Sequence, residues 1–358
     1  MHDFAAAVGG SILSFTRREL LDSAAEADVL HVPVDGGLLG TAYHVPSARH
    51  TRRAEAVLSR AKLVIVHGLY RYHAQWAVAR ARRSGIPYWI VPHGSLDPWV
   101  LSYRRLRKRA WLALIGDRAL RDAAVVLLAT RREQEKAAGH LQHARTAVVH
   151  WPVPRHSRDP AAGRRVRAAL GIPTNVRVLL FLGRLHPMKR VLETIAAVAE
   201  CGRSDLHLVV AGPGSPELDE AMCRQAAADA PGRIHVVGPV FGPDKSACFD
   251  AADGYVSLSI RENFGYTAAE AMAAGLPLIL SPGNDLAHEP GVARCGWLLH
   301  DVTAAAQAIA EFAIAPPHVL SGMGDAARAW AEEQLTTERF AAAVRSLAAA
   351  SLRERASA

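Results

Sequence analysis

The sequence lacks several features that would place it in common protein classes. No apolar run is long enough to span a bilayer. The first residues carry neither the basic segment nor the long apolar segment of a secretory signal. There is no G-x4-G-K-[ST] loop, which argues against a nucleoside triphosphatase. There is also no Asp-x-Asp pair, a carboxylate arrangement that can hold a divalent metal.

Cysteine is scarce. The 358 residues include four cysteines, which form no C-x-x-C pair: Cys201, Cys223, Cys248 and Cys295. A disulfide framework is therefore not indicated, and a reduced, cytoplasmic chain is the simplest interpretation. The chain is long enough for two domains, each with its own hydrophobic core.

Acidic residues are few in the first part of the chain. Residues 1–160 contain 24 Lys and Arg against 13 Asp and Glu, whereas the remainder contains 18 against 21. A basic N-terminal part suggests an anionic partner, either a phosphate-bearing acceptor or an anionic membrane surface. Nucleic acid is the competing interpretation, but no zinc-finger spacing, RNP-like aromatic pattern or helix-turn-helix supports it. We therefore expect no nucleic-acid partner.

The stretch Ile260–Pro282 organises the second half of the chain. Its pattern predicts the end of a strand, a loop, an Ala-rich helix and a second buried strand. Glu262 would lie in the loop at a strand's carboxyl end, and Glu270 about two turns inside the helix. Between them lie three residues whose amide N–H groups would face an anion at the helix start: Asn263, Phe264 and Gly265. Carboxylates on both sides of an anion suit the hydroxyls of a nucleotide sugar.

A second motif, Phe181–Lys189 (FLGRLHPMK), follows a predicted strand. Arg184 and Lys189 are five residues apart on a strand-to-helix loop, so both can converge on one anion, and Gly183 lets the backbone approach it. Two fixed cations can stabilise the charge that develops on a departing diphosphate. Arginine supplies a bidentate grip and lysine a point charge. A solvated basic loop is the alternative for this motif taken alone.

Together the two motifs resemble signatures of the family 4 retaining glycosyltransferases of the GT-B fold. ENFG and AEAMAAGLPLI resemble the E-x7-E signature, and GRL followed by Lys189 resembles the G-R-L-x-x-x-K element. The family usually has glycine after that lysine, where this chain has Arg190. The resemblance implies an α/β, GT-B fold, in which two Rossmann-like domains face each other across a cleft. It also implies that Glu262 faces the donor sugar and that Glu270 binds the ribose of the nucleotide.

The rhythm of strands and helices is consistent with two such domains. Strand-like and helical segments alternate from residue 28 to 149 and again from 177 to 280. We predict an acceptor-binding domain over residues 1–160 and a nucleotide-sugar-binding domain over 161–335, with a proline-rich linker around 151–174. In relatives the final helix crosses back onto the first domain, and residues 336–358 are predicted to do the same.

The first residues fit this scheme least well. Gly9-Gly10 and a helical stretch, Ser11–Ala25, resemble the loop and first helix of a GT-B N-terminal domain, which implies that Gly10 contacts the donor. In that family the Gly-Gly loop follows the first strand, but here only eight residues precede it, and MHDFAAAV is a poor strand. We infer either a degenerate first strand or a natural chain that begins further upstream.

A third motif lies in the first half of the chain. IVPHGSLDPWVL (Ile90–Leu101) resembles an element of polysaccharide-type family members, in which PRG or PHG is followed by Leu and Pro-Trp. The resemblance implies that His93, at a strand's carboxyl end, faces the cleft and contacts the donor sugar or phosphate. His67 shares this placement and is the second choice. Asp97 is predicted to cap a helix.

The segment Ser102–Arg121 is basic and amphipathic. One face of a helix here would carry small and apolar side chains: Leu106, Ala110, Ala113 and Leu114. The other face would carry the basic residues. Such a helix can lie on an anionic membrane leaflet or meet a lipid-diphosphate acceptor. A solvated basic face, with Trp111 and Leu112 packed inward, is the alternative.

These features predict a retaining glycosyltransferase that moves a sugar from a nucleotide diphosphate sugar to a hydroxyl of a glycan or lipid-linked acceptor, in polysaccharide or glycolipid assembly. The predicted catalytic set is His93, Arg184, Lys189 and Glu262. The Asp-x-Asp pair holds a metal in the other large glycosyltransferase fold, so its absence predicts a metal-independent reaction with no cofactor. We expect a cytoplasmic protein with peripheral contact at the inner face of the membrane through its basic N-terminal domain.

Two other functions stay open on the sequence. A catalytically silent GT-B module would bind a nucleotide sugar or a partner transferase without turnover. A GT-B epimerase or phosphorylase is the other candidate, and a phosphorylase would need a lysine that carries pyridoxal phosphate.

Overall fold

The computed structural model describes residues 1–17, 29–34 and 48–356, and it divides into two compact α/β units. One unit comprises Met1–His150 together with the C-terminal segment from Thr337, and the other comprises Trp151–Thr336. The sequence placed these boundaries at 160/161 and 335/336. Among the described helices, none has a segment long and apolar enough to cross a membrane.

The first unit contains two parallel sheets. Strands β1 (Ile12–Arg17) and β2 (Val29–Val34) pair with each other. The larger sheet holds four strands in sequence order: β3 (Val64–His67), β4 (Tyr88–Val91), β5 (Val125–Leu128) and β6 (Thr146–Val148). Every residue of β4 and β5 is buried, as expected for apolar parallel strands that are covered on both faces.

The described helices of this unit are His2–Val8, Ala48–Leu58, Tyr72–Arg83, Pro98–Ser102, Arg105–Trp111, Asp117–Arg121, Arg131–Leu141 and Thr337–Ala356, with a π-helical turn at Leu112–Gly116. The C-terminal helix belongs to the core of the unit. Trp89 Nε1 donates to Ser351 Oγ over 2.9 Å. Phe340 packs edge-on against Phe4, with ring centroids 4.9 Å apart.

The second unit contains a six-stranded parallel sheet in the order β12-β11-β10-β7-β8-β9. Its strands are β7 (Arg177–Leu182), β8 (Leu206–Ala211), β9 (Ile234–Gly238), β10 (Gly254–Ser257), β11 (Leu278–Leu280) and β12 (Gly296–Leu298). Its α-helices are Pro160–Ala169, Val191–Glu200, Glu220–Ala226, Gly242–Ala251, Tyr266–Ala273, Ala305–Ile314 and Pro317–Gln334. Its 3-10 turns are Pro187–Lys189, Ala227–Asp229, Asp285–His288, Val292–Arg294 and Val302–Ala304.

The strand order of this sheet reverses between β7 and β10. From that point β8 and β9 extend in one direction and β11 and β12 in the other. In open parallel sheets, ligands bind beyond the carboxyl ends of the strands at such a switch point. Residues 183–189 follow β7 and residues 258–265 follow β10. The fold therefore brings both sequence motifs of the second unit to the switch point.

The helix predicted over Ser11–Ala25 is wrong where the structure describes it. The segment ILSFTR is strand β1, and helix His2–Val8 precedes it and ends at Gly9 with a φ of 61°. This segment is rich in β-branched and aromatic residues, which favour strands. Residues 18–25 lie outside the described residues. The Gly-Gly pair therefore follows a helix and precedes a strand.

The helix predicted over Ser102–Arg121 is confirmed from Arg105, where the chain is helical to Arg121, but it does not include residues 102–104. Arg104, with a φ of 54°, separates helix Pro98–Ser102 from the next one. Leu112–Gly116 then widens into a π-helical turn. Gly116 fits this turn because a Cβ there would lie 2.4 Å from the Trp111 ring.

The segment after His150 packs into the second unit, which accounts for the position of the boundary. Trp151 is buried and packs against Phe264, with ring centroids 6.5 Å apart. His156 Nε2 lies 2.8 Å from Asp250 Oδ1, and both side chains are almost fully buried. The predicted linker is thus held to the core of the second unit.

We predict that Gly163→Ala destabilises the second unit. A Cβ at Gly163 in helix Pro160–Ala169 would lie 2.3 Å from Asp250 O, so the neighbouring helix would have to shift. The free energy of unfolding should fall by about 1–3 kcal/mol, measured by denaturant titration.

The matched control is Gly322→Ala, also within a helix, where a Cβ would meet no atom within 4 Å in the part of the chain that the structure describes. This variant should gain about 0.5–1 kcal/mol because alanine has the higher helix propensity. Equal stability of the two variants would contradict the close contact at Gly163.

Candidate functional site

Backbone hydrogen bonds join the loops after β7, β8 and β9. Gly183 N donates to Ala211 O (3.0 Å), and Gly212 N donates to Gly238 O (2.8 Å). Gly212 has a φ of 144°, and a Cβ there would lie 1.9 Å from Gly183 O, so only glycine fits. A Cβ on Gly183 would instead meet no atom of the described residues within 4 Å. The Gly183 loop is therefore fixed on one side and open on the other, where a ligand can approach its backbone.

Arg184, Lys189 and Glu262 come together at the switch point. The loop after β10 contacts the loop after β7 through Ile260 N, which donates to Met188 O over 2.8 Å. The Lys189 ammonium donates to a carboxylate oxygen of Glu262. Arg184 is close enough for its charge to act on Lys189. Three of the four predicted catalytic residues thus form one cluster of mixed charge.

The electrostatics of this cluster favour an anionic ligand. The pKa of Lys189 is lowered to about 8, first by burial and then by the positive charge of Arg184. The Glu262 carboxylate acts in the opposite direction, because an opposite charge favours the ammonium form. An anion placed between the two cations would relieve their repulsion and raise the pKa of Lys189 again.

Glu262 leads into helix Tyr266–Ala273. Its amide donates to Gly283 O over 2.8 Å, which fixes its backbone. Gly265 starts the helix with a φ of 78°, and a Cβ there would lie 2.9 Å from Asn284 Oδ1. The Nδ2 atom of Asn284 is buried and has no hydrogen-bond partner within residues 1–17, 29–34 and 48–356. An unused amide donor therefore lies beside the predicted anion loop.

The residues between the two glutamates differ in what their side chains do. Phe264 is buried, and its ring packs against Trp151 and Tyr266 with centroids 6.5 and 5.1 Å away. The ring therefore anchors the loop, and only the amide of Phe264 can face a ligand. Asn263 and Gly265 flank it in the same loop, as the sequence placed them.

Glu270 is the fifth residue of helix Tyr266–Ala273, little more than one turn inside it rather than two. Its Oε1 accepts from Lys245 Nζ over 2.5 Å. Its Oε2 is buried and has no hydrogen-bond partner in the described part of the chain. A buried carboxylate oxygen without a donor is costly, so this oxygen is suited to accept from a ligand hydroxyl.

His93 and His67 lie at the carboxyl ends of β4 and β3 in the first unit. His67 Nδ1 is 2.8 Å from His93 Nε2, and the rings stack with centroids 5.1 Å apart. His93 has a φ of 50°, which non-glycine residues seldom adopt. Partial burial lowers the pKa of His93, and burial, followed by the charge of His93, lowers the pKa of His67 to about 3. The structure thus places His93 and His67, the first and second candidates for a donor contact, next to each other.

Gly10 does not lie at a strand's carboxyl end. Its amide donates to Ala5 O over 2.8 Å and so helps to end helix His2–Val8. The next strand begins only at Ile12. The placement from which a donor contact was predicted for Gly10 is therefore not the one that the structure has.

Two family models match the chain, one for each half. Residues 14–150 match the glycosyl transferase 4-like domain, and residues 164–330 match the glycosyl transferases group 1. The chain belongs to the family 4 glycosyltransferases. This family assignment agrees with the two signatures at the switch point.

Proteins similar in sequence to this chain include two that are named D-inositol 3-phosphate glycosyltransferase. The one from Streptomyces avermitilis is 34% identical over 235 residues, which cover 61% of this chain and 50% of that protein. The one from Mycobacterium avium is 30% identical over 229 residues, which cover 62% and 54%. The chain thus spans about half the length of these curated relatives.

Solved structures of this fold are also similar. HepE of Anabaena, in complex with UDP and glucose, superposes with a TM-score of 0.74 at 18% identity, over 97% of this chain and 94% of HepE. Sucrose-phosphate synthase from Thermosynechococcus elongatus gives 0.74 at 20% identity, over 96% and 90%. These likenesses show that this family member has the GT-B fold, with two Rossmann-like domains.

One departure from the family pattern has a structural explanation. Arg190, where the family usually has glycine, adopts a φ of 51°. Glycine takes this conformation without strain, whereas a side chain is disfavoured there. The Arg190 Nε lies 4.0 Å from Glu193 Oε1. Arg190 thus holds a backbone conformation that suits glycine better than arginine.

Sequence reasoning missed three residues that shape these regions: Lys245, Asn284 and Glu133. Glu133 is buried and accepts from the amides of Gly94 and Ala129, each over 2.7 Å, so it ties the His93 loop to the end of β5. The sequence pattern that could have pointed to Glu133 is the Thr-x-x-Glu capping box at residues 130–133. In the structure, Thr130 Oγ1 accepts from Glu133 N. Lys245 and Asn284 belong to no recognisable sequence motif, so the sequence did not point to them. Asp97 caps helix Pro98–Ser102, as predicted.

We predict that affinity for a nucleoside diphosphate falls as pH rises above 8. Lys189 of the free protein loses its proton at about pH 8, whereas a bound diphosphate holds the proton. The dissociation constant should therefore rise by up to about tenfold per pH unit above that point, and not below it. Calorimetric titration with UDP from about pH 7 to 9.5 measures this.

The matched variant is Lys189→Arg, because a guanidinium stays charged over this range. Comparing the pH dependence of the dissociation constant in the two proteins cancels the contribution from titration of the nucleotide base, which both share. The same pH dependence in both proteins would show that Lys189 does not hold the diphosphate.

Proposed function

We propose that this protein is a retaining glycosyltransferase that moves a sugar from a nucleotide diphosphate sugar to an acceptor hydroxyl. The observation that carries this proposal is the cluster at the switch point, where Arg184 and Lys189 offer two cations for a diphosphate beside the carboxylate of Glu262. Glu270, whose buried Oε2 has no hydrogen-bond partner among the described residues, would accept from the ribose hydroxyls. The complex of HepE with UDP and glucose supports UDP-sugars as the first donors to test.

In the proposed reaction, the bond between the anomeric carbon and the diphosphate oxygen breaks, and a bond to the acceptor oxygen forms on the same face of the sugar. The acceptor proton passes to the departing diphosphate. Arg184 and Lys189 stabilise the charge that develops on this leaving group, so we propose a metal-independent reaction without a cofactor. Glu262 holds the sugar. His93, oriented by His67, is proposed to contact the sugar or phosphate.

For the acceptor we propose a hydroxyl of a glycan or lipid-linked molecule in polysaccharide or glycolipid assembly. The basic residues 1–160 support an acceptor that carries phosphate. The relatives from Streptomyces avermitilis and Mycobacterium avium are named for D-inositol 3-phosphate, which is also anionic. A polyol phosphate is therefore the other acceptor class to test.

A catalytically silent nucleotide-sugar-binding module is the second candidate. The feature that favours it is the N-terminal segment, where helix His2–Val8 stands in place of the strand that precedes the Gly-Gly loop in the family. Turnover separates the two candidates. Transfer of a sugar to any acceptor excludes the silent module, whereas donor binding without transfer supports it.

We predict that nucleotide sugars stabilise the protein and that Glu270→Ala abolishes this effect. A ligand at 100 times its dissociation constant should add about 2.7 kcal/mol to the free energy of unfolding, which a thermal-shift screen of UDP-, GDP- and ADP-sugars detects. The variant loses the acceptor for the ribose hydroxyls.

The retaining mechanism predicts that the product keeps the anomeric configuration of the donor sugar. Proton NMR of the fresh product measures this configuration.

Glu332→Ala is the control, because Glu332 is an exposed glutamate on helix Pro317–Gln334. It should keep the full thermal shift. An undiminished shift in the Glu270 variant would mean that the ribose lies elsewhere.

We also propose peripheral contact with an anionic membrane through residues 98–115. Five large apolar side chains are exposed there: Trp99, Tyr103, Leu106, Leu114 and Ile115. Leu106 and Leu114 are 81% and 80% exposed. Exposed arginines lie in the same segment: Arg104, Arg105, Arg107 and Arg109. Leu112 is buried, so the segment is anchored on one side. Apolar side chains among basic ones suit the interface of an anionic leaflet.

This contact would place the protein at the inner face of a membrane in the cytoplasm. The four cysteines are free in the structure, which supports a reducing compartment. Burial raises the pKa values of Cys223, Cys248 and Cys295 to about 11, so these thiols stay protonated.

We predict that the double variant Leu106→Glu, Leu114→Glu loses at least about tenfold in binding to vesicles that contain phosphatidylglycerol, because it removes two apolar side chains and adds two negative charges. Co-sedimentation measures the bound fraction. The control is Ile314→Glu in the second unit, where Ile314 is 64% exposed and basic residues are not clustered. Equal sedimentation of the double variant and the unaltered protein would refute membrane contact through this segment.

A further inference from the structure

Lys245 joins two helices of the second unit. It lies in the first turn of helix Gly242–Ala251, which follows β9, whereas its partner Glu270 lies in helix Tyr266–Ala273, which follows β10. Lys245 Nζ donates to Glu270 Oε1 over 2.5 Å, and the two side chains are 30% and 18% exposed. Both helices begin at the carboxyl edge of the sheet. The ion pair is therefore on the ligand-binding side of the unit.

The two carboxylate oxygens of Glu270 have different surroundings. Oε1 accepts from Lys245, but Oε2 is buried without a hydrogen-bond partner among the described residues. Tyr255 lies nearby on β10, and its hydroxyl is engaged with Thr267 Oγ1 at 2.8 Å. Burial, with the charge of Glu270 as a smaller cause, raises the pKa of Tyr255 to about 12, so this hydroxyl stays protonated. The carboxylate thus has one occupied and one open oxygen.

We infer that Lys245 is a positioning residue for the nucleotide: it holds Oε1 of Glu270, so that Oε2 stays available to the ribose hydroxyls. This inference rests on the proposed function and deepens it. The terminal torsion of a glutamate is broad, so a carboxylate without a fixed partner rotates. A fixed Oε1 removes that freedom and pre-organises the ribose contact.

A positioning role differs in its consequences from two simpler roles of Lys245. A lysine that bound the diphosphate directly would add equally to the affinity for nucleotides with and without ribose hydroxyls. A lysine that served only folding would change the melting temperature and leave the affinity of the folded protein unchanged. A positioning lysine changes only the share of the affinity that depends on the ribose hydroxyls.

The experiment compares UDP with 2′,3′-dideoxy-UDP by calorimetric titration, and uses the ADP and GDP pairs in the same way if UDP does not bind. In the unaltered protein, the hydroxyls should improve affinity on the order of ten- to a hundredfold, as expected for hydrogen bonds to a charged group. In Lys245→Met this ratio should fall towards one, while the affinity for the dideoxy form stays within about twofold. Lys245→Arg, which keeps a cation, should restore most of the ratio.

Arg203→Met is the matched control. Arg203 also forms an ion pair in the second unit, with Asp205 at 2.8 and 2.6 Å, but this pair precedes β8 at the amino edge of the sheet. Its removal should leave the ribose ratio unchanged. In the transfer reaction, Lys245→Met should raise the donor KM and leave kcat within about twofold, because a ground-state contact is lost.

Glu270→Ala separates this inference from the function on which it rests. If that variant keeps the ribose ratio, the donor site is assigned wrongly and the proposed function fails. If it loses the ratio while Lys245→Met keeps it, only the positioning role is overturned. An equal loss for both nucleotides in Lys245→Met also overturns it. If that variant does not fold, as judged by its melting curve, Lys245→Gln gives the same comparison.

Discussion

The contact between the loops after β7 and β10 is the constraint on which the candidate site depends. Parallel strands on either side of the switch point diverge in their connections, so the loops beyond them would otherwise be independent. The hydrogen bond from Ile260 N to Met188 O holds the two loops together. Two motifs that are more than seventy residues apart, around Lys189 and Glu262, thereby become one cluster. On the far side, Gly212 leaves no room for the Gly183 loop to retreat.

The same cluster leaves several polar groups incompletely satisfied. Burial and then the neighbouring charge of Arg184 lower the pKa of Lys189. Oε2 of Glu270 lacks a donor, and Nδ2 of Asn284 lacks an acceptor, among the described residues. Buried polar groups without partners are rare in folded proteins, and two of those among the described residues, on Glu270 and Asn284, belong to the segments that follow β10 and β11. A diphosphate with hydroxyls at both ends would supply the missing anion, donors and acceptor in one molecule. This complementarity, rather than any single residue, favours a nucleotide sugar.

Much of the fold and of the candidate site could be predicted from the sequence, for a physical reason. Buried parallel strands read as apolar runs, so strands such as Tyr88–Val91 and Leu206–Ala211 fall inside the segments where alternating strands and helices were predicted. Residues after such strands share one edge of a sheet, which is why Arg184, Lys189 and Glu262 could be expected together. Lys245 could not be found this way, because its partner lies on another helix and only tertiary packing reveals the pair. The strand at Ile12–Arg17 was missed because the family pattern outweighed the β-branched composition of that segment.

The division of the chain has a consequence for how it is made. The second unit is one continuous stretch, Trp151–Thr336, whereas the first combines Met1–His150 with the C-terminal segment. Phe340 and Ser351, which pack against Phe4 and Trp89, leave the ribosome after the whole second unit. Since domains generally fold as units during synthesis, the half encoded second can complete its fold first. The half encoded first must wait, with its core open, until the segment from Thr337 has been made.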